Sequence, residues 1–244
     1  MLTRTHRAGE RAITRTEVLV IAVILLFVFA GLLPWFVSHR SKSWFHAARI
    51  KCVGNSKQMG LAFRVWANDN DDKYPFWSPT RDDGSGRKVP NPSLTNDTDV
   101  WIHFMAMSNE IGSAKVIICP ADRARLNFTC VDFSSKSVAP YFGIGFQKNN
   151  GISYFIGLDA DETRPQAVLM GDRNLETNVW NLRGSVVTVP SARPTGWTAE
   201  LHGRCGNATL ADGSVQQMSN AALDASVNQA AAGGYTNRLL LPVP

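Results

Sequence analysis

The 244-residue chain is short of the features that announce an enzyme or a nucleic-acid reader. No G-x-S-x-G nucleophile elbow occurs, and histidine is scarce at five residues. His6, His39 and His46 lie in or near the flanks of one long apolar run, which leaves His103 and His202. A hydrolytic site needs a nucleophile, a base and an orienter together. His202 and Asp212 supply two of the three at most, so the expectation is a protein that is not an enzyme. Beyond the apolar run there is no Arg/Lys cluster with interleaved aromatics, which argues against nucleic acid as a partner. The net charge of +5 comes mostly from basic residues on either side of the run. Internal repeats are absent, and no heptad run is long enough to form a coiled coil alone. Asp69, Asp71 and Asp72 lack EF-hand spacing, and helix termination explains them as well as calcium does.

Cysteine is also sparse: Cys52, Cys119, Cys130 and Cys205. In an oxidising compartment four cysteines permit two disulfides in three connectivities. A zinc site from Cys119, Cys130, His202 and Cys205 is the sharper alternative, but none of the spacings is a ribbon or finger pattern. Buried apolar thiols are the third reading. The expectation is no metal and no cofactor.

What is present begins with TRTEVLVIAVILLFVFAGLLPWFV, residues 14–37. Val18 to Val37 is twenty residues without a charge, about 30 Å of helix and the thickness of a bilayer core. A cleavable secretory signal would carry an apolar region of roughly 7–15 residues and a small-x-small site. This run is longer, and PWFVSHRSKSW after it has no such site. It therefore reads as a membrane helix that stays. Arg4, Arg7, Arg11 and Arg15 precede it against Glu10, and Arg40, Lys42, Arg49 and Lys51 follow it. The short N-terminal tail is the easier end to leave inside, which puts the C-terminal bulk outside the cytoplasmic membrane. Trp35 and Trp44 bracket the outer boundary as an aromatic belt does.

The helix is predicted to continue past the membrane. Phe45, Ala48, Cys52, Met59, Phe63 and Trp66 form a helical apolar stripe, weakened by Gly54 and Gly60 at about 1 kcal/mol each. NDNDDKYP, residues 68–75, ends it. Residues 78–99 read as loop, and Asp99 to Glu110 as a short helix capped by Asp99. Strands are predicted at VIIC (116–119), SYFIGL (153–158), QAVLM (166–170) and SVVTV (185–189). GNATLADGSVQQMS, residues 206–219, reads as a hairpin with a primed turn on Asp212-Gly213. Ala221 to Ala232 is a last helix, and LLLPVP is unassigned. The sum is a leader-like segment at 1–15, a transmembrane and extended helix at 16–72, and an α+β domain with an antiparallel sheet at 73–244.

Three stretches carry a resemblance. They are AITRTEVLVI with Pro34 late in the span; KCVGNSKQMGLAFRVWANDNDDKYP; and HGRCGNATLADG, in which His202 is followed after nine residues by Asp212-Gly213. IICPADR, residues 117–123, adds a Cys-Pro-x-Asp segment. In this order the chain resembles the type IV pilin-like superfamily, in particular prepilin-type, pseudopilin-like proteins with an H-X9-DG motif. The resemblance implies a pilin-like fold and a role in a type II secretion-linked pseudopilus or surface assembly. It implies a membrane, a prepilin peptidase and other pilin-like subunits as partners. It places a processing cut between Ala12 and Ile13, with methylation of the new N-terminus. Glu17, the fifth mature residue, would then meet the N-terminal amine of a neighbouring subunit. A carboxylate at a helix centre in lipid costs roughly 2.5–3.5 kcal/mol, and a partnered ammonium relieves it. Ala12 stands where the family has Gly, Ile13 where it has Phe or a similar apolar residue, and Arg15 where it is usually uncharged. Glu17 also reads as an ordinary interfacial residue of an uncleaved anchor. That corresponds to a second function, a membrane-anchored extracytoplasmic binding module that does not polymerise. The same resemblance suggests a Cys52–Cys119 disulfide, with Cys130 and Cys205 paired or free. His202 would hold the hairpin, and Asp212 and Gly213 its turn.

Overall fold

A computed structural model describes residues 14–77, 99–130, 132–133, 146–176, 186–189 and 195–242. Ala12, Ile13 and residues 78–98 of the loop predicted over 78–99 lie outside the described residues. The chain divides into two compact units between His46 and Ala47.

The first unit holds the start of helix α1, which runs Arg15–Asp69. Thr14 caps it. Its hydroxyl oxygen accepts the Glu17 N–H at 3.3 Å, and the Glu17 carboxylate accepts the Thr14 N–H at 2.8 Å and its hydroxyl at 2.9 Å. This is a reciprocal capping box that satisfies donors every helix start leaves open. The 19 residues Arg15–Leu33 are long and apolar enough to cross a membrane, and none of them is buried. Further along this unit, Trp44 and Phe45 stack edge to face at 5.3 Å.

In the second unit the rest of α1 is the spine of an α+β domain. Ala48, Cys52, Met59, Ala62, Phe63, Trp66 and Ala67 are buried on one face. Full burial of a large apolar side chain stabilises by about 1.5–3 kcal/mol, which outweighs the helix penalty of the glycines. Gly60 has a packing reason: a Cβ there would stand 2.8 Å from the Thr209 methyl group. The helix ends where Asn70 and Asp72 both donate their N–H to the Ala67 carbonyl, at 3.0 and 2.9 Å. Asp71 and Asp72 take left-handed backbone angles, φ 58° and 55°, which short polar residues tolerate.

The sheet has six antiparallel strands in the order β4-β8-β1-β2-β6-β7. They are β1 (Tyr154–Gly157), β2 (Val168–Asp172), β4 (Val186–Val189), β6 (Cys205–Leu210), β7 (Val215–Ser219) and β8 (Asn237–Leu240). Two short strands, β3 (Leu175–Glu176) and β5 (Gly196–Trp197), pair separately. Side chains alternate across the sheet with the period of a strand. Tyr154, Ile156 and Leu240 join the α1 core, whereas Phe155, Ala208 and Leu239 join a second core with Leu223 and Val227 of α4 (Asn220–Ala232). Both faces are therefore covered, by α1 and by α4. Ser219 caps α4, its hydroxyl accepting the Ala222 N–H at 3.3 Å.

Several expectations change. VIIC is not a strand. Ala114–Ile117 is a 3-10 turn followed by extended Ile118, and among the described residues its one sheet-like bond is the Ser153 N–H on the Ile117 carbonyl at 2.9 Å. Pro120 removes the donor a longer ladder would need. The helix predicted from Asp99 breaks at Met107 into α2 (Val100–Ala106) and α3 (Ser108–Ile111). The Asp99 carboxylate bonds to Asn149 at 2.9 Å, and it is Asn149 Oδ1 that accepts the Trp101 N–H at 3.2 Å. The β6–β7 turn is not primed. Only Gly213 is left-handed, at φ 83°, and its N–H closes a turn on the Leu210 carbonyl at 2.9 Å. That is a three-residue loop with a glycine bulge. Leu239 and Leu240 of the unassigned tail, with Asn237 and Arg238 before them, form β8, which inserts between β4 and β1. Arg238 fixes it to Asp159 through Nη2 at 2.6 Å, Nε at 2.9 Å and its backbone N–H at 2.6 Å.

Two predictions follow from this packing. At Gly157 a Cβ would run into the Val168 carbonyl oxygen, which belongs to the backbone and cannot rotate away. Gly157→Ala is expected to cost about 2–3 kcal/mol, read as a lower urea midpoint. An unchanged midpoint would refute the β1–β2 approach. His103 is 2% exposed and packs edge-on to Phe76 at 6.2 Å. Burial pushes its imidazole from 6.5 down to about 4. The unfolded chain takes up this proton as pH falls through 6.5, whereas the native chain refuses it until about 4. The stabilisation is complete above pH 6.5 and is lost as pH falls to about 4, a change on the order of 3 kcal/mol. His103→Phe should flatten that part of the stability–pH curve; parallel curves for the two proteins would contradict it.

Candidate functional site

Four side chains from four parts of the second unit converge at the α1 side of the sheet. They are Cys52 from α1, Cys119 from the turn after Ile118, Asp172 from the end of β2, and His202 from the loop before β6. Their ligand atoms all lie within 4.8 Å of one another. Cys52 Sγ is 3.4 Å from Asp172 Oδ1, Cys119 Sγ is 3.4 Å from His202 Nε2, and His202 Nε2 is 3.4 Å from Asp172 Oδ2. Cys52, Cys119 and Asp172 are fully buried, and the His202 side chain is 3% exposed.

Each position has a local cause. Cys52 belongs to the buried stripe of α1. Asn55, one turn on, donates to the Ile118 carbonyl at 3.2 Å and so anchors the residue before Cys119. Asp172 ends a strand that is buried throughout. His202 is turned inward by Gly203 and Arg204, both left-handed, at φ 68° and 60°. Around the four, Asn207 donates its backbone N–H and side-chain amide to Asp172 Oδ2 at 2.7 and 3.0 Å. The Tyr154 hydroxyl lies 3.4 Å from Cys52 Sγ. Arg49 Nη2 donates to Cys205 Sγ at 2.6 Å, and the Cys205 thiol donates to the His202 carbonyl at 3.1 Å.

Burial dominates the electrostatics. It pushes the Asp172 carboxyl up to about 7, against the pull of the Asn207 and Cys52 hydrogen bonds. It pushes the His202 imidazole down to about 4, with the nearby Arg49 charge acting in the same direction. The Cys52 thiol is raised for the same reason. His202 is therefore neutral at physiological pH, and its contact with Asp172 is dipolar rather than an ion pair.

A second buried network adjoins the first. Asp122 accepts Arg173 Nε at 2.7 Å, Arg173 Nη2 at 2.9 Å and the Ser153 hydroxyl at 2.8 Å. Arg173 also reaches Glu200 at 3.2 Å. Arg125 spends its guanidinium on the carbonyls of Asn149 at 2.6 Å, Pro242 at 2.7 Å and Ile152. The Cys-Pro-x-Asp segment thus delivers Cys119 to one network and Asp122 to the other.

The structure separates the H-X9-DG motif. His202 lies before β6, while Asp212 and Gly213 lie in the turn after it. Asp212 Oδ1 accepts the Ser214 N–H at 2.8 Å, and its carbonyl accepts from Arg64 at 3.1 Å. His202 and Asp212 are not assembled as base and orienter. Nor do Cys119, His202 and Asp172 form a relay: both partners meet the same nitrogen, Nε2, whereas a relay uses opposite ring nitrogens. The four cysteines are free thiols. Of the zinc set considered from sequence, Cys119 and His202 are in the cluster, and Cys130 and Cys205 are not among its members. Sequence reasoning missed Asp172. A single acid closing the apolar run AVLMGD was its only signal.

Asp122→Asn should cost about 2–3 kcal/mol, because it leaves the Arg173 guanidinium, 18% exposed, without its buried counter-charge. Denaturation in urea reads it, and a loss below about 0.5 kcal/mol, the level of an ordinary surface change, would contradict the network.

Comparison with known proteins returns no family: no family model, no curated protein and no solved structure matches this chain.

Proposed function

We propose that the chain is a non-enzymatic, membrane-anchored pilin- or pseudopilin-like protein. In this reading Arg15–Leu33 sits in the cytoplasmic membrane with the N-terminus inside. The α+β domain faces the extracytoplasmic side, and the protein packs with other pilin-like subunits in a secretion-linked assembly. The observation that carries the reading is the divided character of α1. Its first part is apolar and unburied, and its last part is the spine of an antiparallel-sheet domain. One helix that serves a membrane at one end and a folded domain at the other is the construction that subunit packing through helices requires. The edge position of Glu17 and the His202 to Asp212-Gly213 spacing support the same reading.

The capping box favours a second reading. Thr14 and Glu17 satisfy one another within a single chain, so Glu17 has a role that needs no neighbouring amine. An uncleaved anchor carrying a binding domain that never polymerises would use it in this way.

The N-terminal sequence and intact mass of the protein purified from its native membrane separate the two. A chain beginning at Ile13, with a methylated amine, is the expected result. A chain that retains residues 1–12 would overturn the assembly reading in favour of the anchored binding module.

A further inference from the structure

The cluster of Cys52, Cys119, Asp172 and His202 has no assigned purpose, and it does not depend on the pilin-like reading. Two thiols, a carboxyl and an imidazole share one buried point beneath the sheet. Among the described residues no Lys or Arg side chain reaches the Asp172 carboxylate; its partners are Asn207, Cys52 and His202. An acid placed this deep without a cation is a costly arrangement.

We infer that these four side chains form a structural zinc site. Three of the six donor separations are close to those of a tetrahedral donor set. Metal–sulfur lengths of about 2.3 Å and metal–nitrogen or metal–oxygen lengths of about 2.0–2.1 Å give tetrahedron edges of about 3.6 Å from sulfur to nitrogen or oxygen, and about 3.4 Å from nitrogen to oxygen. The corresponding separations are 3.4 Å from Cys119 Sγ to His202 Nε2, 3.4 Å from His202 Nε2 to Asp172 Oδ2 and, at the other carboxylate oxygen, 3.4 Å from Cys52 Sγ to Asp172 Oδ1, so a small turn of the carboxylate would bring one oxygen to both. All four donors are within 4.8 Å of one another, so little movement is needed to close on an ion.

The donor types select the metal. Thiolate and imidazole suit a borderline-soft ion such as zinc, whereas calcium and magnesium take oxygen shells. Two thiolates and a carboxylate around a divalent ion leave one negative charge, and the Arg49 guanidinium beside Cys205 stands ready to offset it. Binding sends the thiol protons to solvent. The outer shell is already in place: Asn207 orients Asp172, and Tyr154 faces Cys52, as second-shell partners do in metal sites. Four protein ligands leave no open position for substrate, which marks a structural centre rather than a catalytic one. The ion would tie α1, the turn at Cys119, β2 and the loop before β6 at one point.

The rival use of the same atoms is a Cys52–Cys119 disulfide, which would remove both thiolates. The full-length protein, solubilised in detergent and purified without chelator or reductant, distinguishes them. Expected are one zinc per chain by elemental analysis, and a cobalt(II)-substituted form with tetrahedral d–d bands and a thiolate charge-transfer band. Chelation should raise the alkylation rates of Cys52 and Cys119 above those of the zinc-loaded chain, leave that of Cys205 unchanged, and lower the melting temperature reversibly. Asp172→Asn and His202→Gln should reduce bound metal at least tenfold, while Cys130→Ser keeps it. If a variant fails to fold, the metal content and cobalt spectrum of the wild-type chain still decide. A chain lighter by two hydrogens with Cys52 and Cys119 cross-linked and no metal would overturn the proposal. So would a reduced, folded wild-type chain that takes up neither zinc nor cobalt, or folded Asp172→Asn and His202→Gln variants that bind as wild type does.

Discussion

The burial of one face of α1 beneath the six-stranded sheet is the constraint on which the second unit depends. Cys52, Met59, Phe63, Trp66 and Ala67 are withdrawn from water there. Large apolar side chains contribute about 1.5–3 kcal/mol each on full burial, far more than the capping and turn interactions around them. The close approach of helix and sheet also explains local details. Gly60 is small because Thr209 is opposite it. Tyr74 donates to the Ala211 carbonyl at 3.0 Å and Arg64 to that of Asp212 at 3.1 Å, so the end of the helix is held to the β6–β7 turn.

That same contact creates a problem in polar chemistry. β2 ends in Asp172 and Arg173, which lead to different networks. Arg173 meets Asp122 and Glu200. Asp172 turns to Cys52 and His202, away from any Lys or Arg side chain among the described residues. Buried polar groups are tolerated when every member has a partner. Asn207 supplies two donors to Asp172 Oδ2, and the Cys52 thiol donates to the remaining oxygen, Oδ1. The H-X9-DG spacing then acquires a physical reading: its histidine serves the cluster at one end of β6, and its Asp-Gly closes the turn at the other.

The apolar run, the α1 stripe, the β6–β7 hairpin and three of the strands were legible because each is a local pattern with a fixed period. Other elements were not. Leu239 and Leu240 of that tail belong to a strand only because a slot between β4 and β1 awaits them. VIIC is equally apolar, but among the described residues it meets the sheet through one backbone bond, the Ser153 N–H on the Ile117 carbonyl. The helix from Asp99 breaks at Met107, and its cap comes from Asn149, about fifty residues away. Asp172 looked like one acid among many until folding set it beside residues far from it in the chain.

By itself the sequence determined an apolar helix, its continuation as an amphipathic spine and an antiparallel α+β domain, since hydrophobic periodicity and turn chemistry are written residue by residue. Only the tertiary structure decided which cysteines meet, which histidine faces inward and which carboxylate loses its water. Those outcomes depend on contacts between residues up to 150 positions apart, as from Cys52 to His202, and no local pattern encodes them.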